Sequence, residues 1–201
     1  MIFCCRLLNV LIQLGMRVIS GKARGCRLVA PTGFETRPTG DRMKEDLFNI
    51  LGPMVQGASF LDLYCGSGAI GIEALSRGAD SAVFVDDSQA AIEAAKANLR
   101  KTGLCDSAAL LYLPAARAIK HDLAGRVFDL IFLDPPYKTE ELAEALCYIA
   151  LGGLLADNGI LLAECPLDVE LPNVSELRLF RQKKYKQMQF AFFEMKGRGA
   201  G

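Results

Sequence analysis

The chain has 201 residues, of which 51% are hydrophobic, and this suits one domain with a full hydrophobic core. Its formal net charge is zero, yet residues 1–44 hold eight Lys and Arg against two acids, and residues 175–201 hold seven against two. Seven scattered cysteines and one histidine form neither a disulfide framework nor a zinc-ligand pattern, so we expect a cytoplasmic protein without a metal. Basic ends around an acidic middle are typical of a domain that binds a polyanion, although an ordinary solvated surface can carry the same charges.

Residues 1–15 form an apolar stretch that is interrupted by Arg6, Asn9 and Gln13. The stretch is too short to span a bilayer and lacks the features of a signal peptide, so no membrane partner is expected. Because a second methionine, Met16, follows it, we expect residues 1–15 to be an upstream extension. An amphipathic docking helix is the alternative.

Residues 16–55 are predicted to form a basic N-terminal arm followed by a helix. Short apolar runs alternate with Gly21 and Gly25, which favours a small hairpin. Asp41 is the predicted N-cap of the helix, whose apolar face includes Leu47 and Phe48. Basic side chains in arms and loops are suited to phosphate contacts, and the residues predicted to make them are Arg17, Lys22, Arg24, Arg27, Arg37 and Arg42.

Residues 56–196 alternate predicted strands with helices, which indicates an α/β domain with a parallel, doubly wound sheet. The predicted strands are residues 60–64, 82–85, 108–113, 128–133 and 159–164, and the predicted helices include residues 89–101, capped by Ser88, and 140–151. From Ser175 to Met195, two strand-like runs flank the basic turn Arg181–Gln187. This pattern predicts an antiparallel hairpin at the edge of the sheet.

The strand at 128–133 ends on Asp134-Pro135-Pro136-Tyr137, where the two prolines cannot continue the ladder because they lack an amide hydrogen. Ligands of open parallel sheets bind beyond the carboxyl ends of the strands, so chemistry is expected here. A carboxylate, the Pro135 carbonyl and an aromatic ring together fit a planar group that carries an amine. The alternative is a rigid turn in which Asp134 only caps the next segment.

Gly66, Gly68 and Gly71 match the pattern G-x-G-x-x-G, and Asp86 lies about twenty residues after the first glycine, so a dinucleotide must be considered. Asp62 precedes this loop at the end of a strand. Its carboxylate would repel a pyrophosphate and stabilise a cationic group such as the amino group of S-adenosylmethionine. Asp86 suits ribose hydroxyls with either ligand, and the alternative for Asp62 is a turn or helix cap.

Two motifs carry a resemblance to a known family. Asp62-x-Tyr64-x-Gly66-Ser67-Gly68, followed by Asp134-Pro135-Pro136-Tyr137, resembles the class I S-adenosylmethionine-dependent amino-methyltransferases. The flanking stretches 17–25, 37–42, 47–51 and 71–77 resemble the RsmD family of bacterial 16S ribosomal RNA guanine-N2 methyltransferases. The resemblance extends from about residue 16 to about residue 195, nearly the whole chain.

This resemblance implies a Rossmann-like class I methyltransferase with a seven-stranded, mostly parallel sheet, a reversed C-terminal hairpin and a small N-terminal extension. It also implies S-adenosylmethionine as cofactor and 16S ribosomal RNA as partner, free or within an assembling 30S subunit. The implied catalytic residues are Asp134, Pro135, Pro136 and Tyr137, and the implied cofactor residues are Asp62, Tyr64, Gly66, Ser67, Gly68, Asp86 and Ala115. Relatives generally carry a polar or acidic residue where this chain has Pro114, so only the Ala115 backbone amide is left to contact the adenine amine.

Three other functions share parts of the pattern. A DNA adenine-N6 methyltransferase would use the same motif at Asp134–Tyr137, but the basic arm and the lack of a target-recognition insertion argue against it. A dinucleotide-dependent oxidoreductase would need a hydride-transfer residue, which the sequence does not offer. A non-catalytic RNA-binding subunit would not be expected to retain both motifs.

Overall fold

A computed structural model describes residues 16–31, 40–136 and 139–197 of the chain. Seven strands form one sheet, namely β1 (Ser59–Leu63), β2 (Ser81–Asp86), β3 (Ala108–Tyr112), β4 (Phe128–Leu133), β5 (Leu155–Pro166), β6 (Leu177–Lys184) and β7 (Met188–Met195). Their spatial order is β3-β2-β1-β4-β5-β7-β6, with the first five strands of the chain parallel and β7 antiparallel to both of its neighbours. The predicted doubly wound sheet with a reversed C-terminal hairpin is therefore confirmed.

Five α-helices accompany the sheet in the described residues: α1 (Asp41–Leu51), α2 (Ala69–Ser76), α3 (Gln89–Thr102), α4 (Ala115–Arg117) and α5 (Thr139–Leu151). A π-helical turn, Ala118–Asp122, extends α4. Helices α1 to α3 cover one face of the sheet and α4 and α5 cover the other, so each face has its own apolar core. Within the described part of the chain, no helix combines the length and hydrophobicity that a membrane span requires.

The central strands β1 and β4 alternate their side chains between the two cores. Phe60 packs on the α1–α3 side, whereas Leu61 and Leu63 pack on the α4–α5 side. All four residues from Leu130 to Leu133 are buried, as an uninterrupted apolar run predicts for a strand covered on both faces. Asp134 therefore follows a run of four buried residues.

Several predicted boundaries were wrong for identifiable reasons. The N-cap of α1 is Gly40, while Asp41 is the first helical residue and accepts a hydrogen bond from Arg17 Nε at 2.8 Å. Strand β5 begins earlier than predicted, at Leu155, which pairs with Phe128 before the register with β4 shifts and the pairing resumes at Ile160. The run Arg181–Lys184 belongs to β6, since an edge strand tolerates solvated charges, and the turn is confined to residues 185–187. By contrast, the Ser88 cap is confirmed, because its hydroxyl accepts from the Ala91 amide at 3.3 Å.

The N-terminal arm is a narrow loop closed by one antiparallel bridge between Arg17 and Arg27, rather than a full hairpin. A buried carboxylate, Glu73 of α2, holds it by accepting from the amides of Ile19 at 2.7 Å and Ser20 at 3.0 Å. These two hydrogen bonds replace the strand-to-strand hydrogen bonds that a longer hairpin would make.

A second buried side chain, Asn98 of α3, fastens the returning half of the arm. Its amide oxygen accepts from the Val29 amide at 2.8 Å, and its nitrogen donates to the carbonyls of Val29 and Ser67, each at 2.9 Å. Because Ser67 belongs to the glycine loop, the arm and that loop share one anchoring side chain.

Candidate active site

A cavity of about 730 Å³ opens at the carboxyl ends of β1, β2 and β4, where ligands of open parallel sheets bind. Its volume is that of a pocket for a cofactor-sized molecule. The walls come from the glycine loop, the end of β2, the start of α4, the loop after β4 and one face of α5, with Met16 and Pro31 of the arm at the rim. The cavity thus brings the two predicted motifs together.

The loop after β1 turns sharply through residues with positive φ. Tyr64 has φ 61°, Gly66 has φ 53° and Gly68, which precedes α2, has φ 73°. A Cβ built on Gly66 would meet nothing within 4 Å, so this glycine serves backbone conformation. A Cβ on Gly71 would lie 2.4 Å from Phe84 Cε1, so the third glycine of the pattern lets α2 pack closely against β2.

Asp62 lies at the end of β1 with only 1% of its surface exposed, and it lines the cavity. Its Oδ2 accepts a hydrogen bond from the Gly71 amide at 2.9 Å, so the side chain does cap the first turn of α2. Desolvation raises the pKa of Asp62 well above its ordinary value, and the nearby carboxylates Asp134 and Asp86 raise it further. A cationic ligand group would relieve this electrostatic cost.

Asp86 ends β2 and supports the glycine loop from the opposite side of the cavity. One of its carboxylate oxygens accepts from the Gly66 amide at 2.9 Å and the other from the Ser88 amide at 2.9 Å. Partial burial raises its pKa, and these two amide donors partly offset the effect. The next residue, Asp87, is exposed and also lines the cavity, so two carboxylates stand where ribose hydroxyls are expected.

Asp134 begins the loop after β4 and opens into the cavity. No described residue donates a hydrogen bond to its carboxylate, although its backbone amide donates to the Leu63 carbonyl at 3.5 Å. Asp134 is exposed through the cavity, and desolvation by the surrounding protein raises the pKa of its carboxyl group to about 7. Pro135 is buried and Pro136 is exposed, and both line the cavity beside it.

Of the wall formed by α4 and α5, only Ala115 was predicted from the sequence. Ala115 is buried at the start of α4, and Glu144 and Tyr148 project from α5. Lys120 lies 3.8 Å above the Tyr148 ring and 3.2 Å from Glu144, which orders that side of the cavity. The sequence does contain a pattern that predicts the α5 part of this wall. Directly after the Asp134 loop, four residues follow the helical spacing i, i+3, i+4 and i+7, namely Glu141, Glu144, Ala145 and Tyr148.

The basic residues predicted to contact RNA are only partly brought together. Arg17 pairs with Asp41, and Arg42 is exposed on the first turn of α1. Lys22 and Arg24 lie at the tip of the arm, where the Lys22 amide donates to the Ser76 carbonyl at the far end of α2. Since eight helical residues span about 12 Å, this tip is well away from the cavity.

Two predicted residues, Tyr137 and Arg37, lie outside the residues that the structure describes. Ser67 is buried beneath the glycine loop and donates to Met16 Sδ at 3.6 Å. No group of His, Cys, Asp and Glu side chains among the described residues is arranged to hold a metal ion.

Residues 16–194 match the family model described as "Conserved hypothetical protein 95". The chain belongs to this family. It is 42% identical over 185 residues to "Putative rRNA methyltransferase YlbH" of Bacillus subtilis (strain 168), covering 90% of this chain and 100% of that protein. It is 33% identical over 190 residues to "Ribosomal RNA small subunit methyltransferase D" of Escherichia coli (strain K12), covering 92% of each.

The fold leads to the same family. A solved structure titled "Putative methyltransferase yhhF from Escherichia coli" matches with a TM-score of 0.81 and 32% identity, covering 90% of this chain and 98% of that one. The resemblance to the RsmD family is therefore confirmed. The chain belongs to a family of methyltransferases with a Rossmann-like fold, and S-adenosylmethionine is the cofactor that its sequence predicts.

The charges of the cavity fit this cofactor. Every charged side chain among its described lining residues is acidic, namely Asp62, Asp86, Asp87, Asp134, Glu141 and Glu144. S-adenosylmethionine carries a positive sulfonium and a positive amino group, which this surface attracts, whereas the pyrophosphate of a dinucleotide would be repelled. The carboxylate of the methionine moiety suits the start of α2, where Ala69 and Ile70 line the cavity at the positive end of the helix.

Proposed function

We propose that the protein transfers a methyl group from S-adenosylmethionine to the exocyclic N2 amine of a guanine in 16S ribosomal RNA, within an assembling 30S subunit. The observation that carries this proposal is the state of Asp134. Its carboxylate is desolvated, has no hydrogen-bond donor among the described residues, and opens into the cofactor cavity. Asp134 is exposed through the cavity, so its carboxylate is an open acceptor that an incoming N–H group can reach.

The cofactor would be held by the residues around the glycine loop. Asp62 would stabilise its amino group, the start of α2 its carboxylate, and Asp86 its ribose hydroxyls, while the amide of Ala115 would contact the adenine. Tyr64, Gly66, Ser67 and Gly68 shape the loop against which the ligand lies. Support comes from the acidic lining and from the open space beside Gly66.

S-adenosylmethionine supplies an activated methyl group, so the protein contributes placement and electrostatics rather than strong base chemistry. A guanine amine is a poor nucleophile because its lone pair is delocalised into the ring. Asp134 and the Pro135 carbonyl would accept its two hydrogens, favour a pyramidal nitrogen and stabilise the positive charge that develops during attack. Pro136 keeps this turn rigid, and the excess proton of the product can leave to water.

A guanine that is stacked in RNA cannot reach this cavity without leaving its stack. Tyr137, which directly follows the two prolines, would replace the lost stacking partner. Arg17, Arg27, Arg37 and Arg42 would contact phosphates near the flipped nucleotide, and Lys22 and Arg24 would contact phosphates farther along the RNA.

The proposal is tested with 16S ribosomal RNA and 30S particles from cells that lack the corresponding enzyme. Each substrate is incubated with the protein and S-adenosylmethionine, digested to nucleosides and analysed by mass spectrometry. We expect one equivalent of N2-methylguanosine, with the particle as the better substrate. Methylation at adenine N6, or no methylated nucleoside from either substrate, would refute the proposal.

A further inference from the structure

The β6–β7 hairpin carries a concentration of positive charge at one end. Arg181, Lys183, Lys184 and Lys186 occupy the end of β6 and the turn, which we call the hairpin end. Since Lys184 pairs with Gln189, and Gln189 pairs with Cys165 near the carboxyl end of β5, the hairpin end lies at the same edge of the sheet as the cavity. Three strand spacings, roughly 14 Å, separate β4 from β6.

These charges are available to a ligand. Arg181, Lys184 and Lys186 are exposed and form no ion pair with any acid in the described part of the chain. Lys183 has a distant partner, since its Nζ lies 3.8 Å from Asp46 Oδ2. At the other end of β6, away from the cavity, Arg178 is paired with Glu194. Unpaired cations are therefore concentrated at the cavity edge.

The hairpin end is fixed in place by α1. The Tyr185 hydroxyl donates to Asp46 Oδ2 at 3.0 Å, and its ring packs edge-on against Phe190 at 5.6 Å between centroids. Such anchoring holds the lysines around Tyr185 in a defined position. A preorganised surface binds with a smaller loss of conformational entropy than a flexible tail does.

Helix α1 also connects the hairpin end to the arm. Arg42 lies one helical turn before Asp46 on the same face. Burial and Asp46 raise the pKa of the Tyr185 hydroxyl to about 12, and the charge of Arg42 is close enough to oppose that rise. At its other side, α1 contacts the arm through the ion pair of Asp41 with Arg17. Arg17, Arg42 and the hairpin end therefore form one basic band beside the cavity.

We propose that the hairpin end is a phosphate-binding surface for the RNA substrate, and that the RNA backbone follows this band from Arg17 across α1 to Lys186. The proposal rests on the proposed function, because it assumes that the polyanion is RNA. On α1 the band runs from Asp41 to Asp46, roughly 8 Å along the helix, so Arg17 and the hairpin end are near enough to contact successive phosphates of one strand. The tip of the arm, with Lys22 and Arg24, lies farther from Asp134 along α2 and is less well placed.

The test compares two triple variants of equal charge. The hairpin variant is Arg181→Gln, Lys184→Gln and Lys186→Gln, and the control is Lys96→Gln, Arg100→Gln and Arg126→Gln, three exposed cations elsewhere. Binding to in-vitro-transcribed 16S ribosomal RNA and to 30S particles is measured across a salt series. Cofactor affinity and thermal melting show whether each variant is folded.

We expect the hairpin variant to lose at least tenfold in RNA affinity at 0.1 M salt, and its salt slope to fall by about two, because each phosphate contact contributes about 0.7 for single-stranded RNA. The control should keep the wild-type slope, and both should bind cofactor normally. If wild-type protein methylates RNA and the two variants bind equally, the hairpin inference alone is overturned. If wild-type protein neither binds nor methylates RNA, the proposed function and this inference fail together.

Discussion

The carboxylates on the two sides of the cavity are in different states. On the cofactor side, Asp62 accepts from the Gly71 amide and Asp86 from the amides of Gly66 and Ser88. On the side of the proposed substrate, the carboxylate of Asp134 has no donor among the described residues. All three have raised pKa values because of desolvation, but only the first two are held by their own backbone.

Asp62 and Asp86 therefore help to hold the backbone around the cavity in shape. The Asp134 carboxylate accepts no hydrogen bond from a described residue and has no such role. A carboxylate that caps backbone amides contributes to folding and to ligand binding at once, so its removal affects both. A partly desolvated carboxylate that accepts from no described residue costs the folded protein some stability when it is ionised, and water or a ligand must supply its hydrogen bonds. Substitution of Asp62 or Asp86 should therefore lower stability and activity together. Substitution of Asp134 should lower activity and raise stability.

The largest effect is expected for Asp134→Asn. Removing a positioned electrostatic group should lower kcat about a hundredfold or more, while RNA affinity, set mainly by phosphates, changes little. Stability should change in the opposite sense. The folded protein holds the Asp134 proton up to a pH of about 7, whereas the unfolded chain releases it near its ordinary pKa, so the wild type loses stability as pH rises between these values.

Asp134→Asn has no carboxyl group to ionise at this position, so it does not lose stability in this way as pH rises. Its melting temperature should exceed that of the wild type by a few degrees at pH 8 and by less at pH 4. Single-turnover methyl transfer beside thermal melts at both pH values measures the two effects. A slow variant that melts below the wild type would support the alternative of a rigid turn in which Asp134 is a cap. A fully active variant would eliminate the proposed pocket.

The second prediction concerns the pH dependence of the wild-type protein. If the ionised Asp134 holds the amine, kcat/KM should rise about tenfold per pH unit below 7 and level off above it when S-adenosylmethionine is subsaturating. At saturating cofactor the midpoint should move lower, because the bound positive charge stabilises the carboxylate. A profile that is flat from pH 5 to 8, or one that Asp134→Asn retains, would contradict this role.

The third prediction separates the two tasks of Asp62. Asp62→Ala leaves the buried Gly71 amide without an acceptor and should cost about 1–3 kcal/mol of unfolding free energy, together with cofactor affinity. Asp62→Asn keeps an acceptor oxygen and should melt no lower than the wild type, yet still bind S-adenosylmethionine more weakly because the negative charge is gone. Equal cofactor affinity in wild type and Asp62→Asn, measured by calorimetry, would show that Asp62 is only a cap.

The smallest effects are expected at the end of β2. Asp86→Ala should weaken cofactor binding and lower the melting temperature together, since its carboxylate accepts from two loop amides. Asp87→Ala, the matched control, should leave melting unchanged because Asp87 is exposed, and should reduce cofactor affinity only a few-fold through lost charge. If Asp87→Ala weakens binding more than Asp86→Ala does, the ribose contact belongs to Asp87.

Much of the fold was predictable because local patterns and global architecture agree here. The buried run at Leu130 to Leu133 indicated a central strand, and Ser88 indicated the start of α3; the structure has both. The prediction of Asp41 as N-cap was wrong because its side chain is engaged by Arg17, a tertiary contact that a local pattern does not contain. The same holds for Glu73, whose role depends on an arm more than 50 residues away.

The candidate site also has a part that was predictable from the sequence and a part that depends on tertiary packing. Both motifs lie at strand ends, so the topology of a parallel sheet was enough to predict that Asp62, Asp86 and Asp134 would meet. The wall from α5 and the rim from Met16 depend on how helix and arm pack over the sheet, which spacing alone does not fix. The assignment of Asp62 to the cofactor amine stays a prediction, to which the structure adds a capping role.

The position of β7 has a consequence for how the protein is made. The last strand of the chain lies inside the sheet, between β5 and β6, and contributes Phe190 and Phe192 to the core. A ribosome delivers it only after the other six strands of the described sheet, so a nascent chain exposes the open edge of β5 until residues 188–195 have been made. Premature termination before Met188 would therefore leave a strand edge and an uncovered apolar face together, a combination that favours aggregation and disposal by cellular quality control.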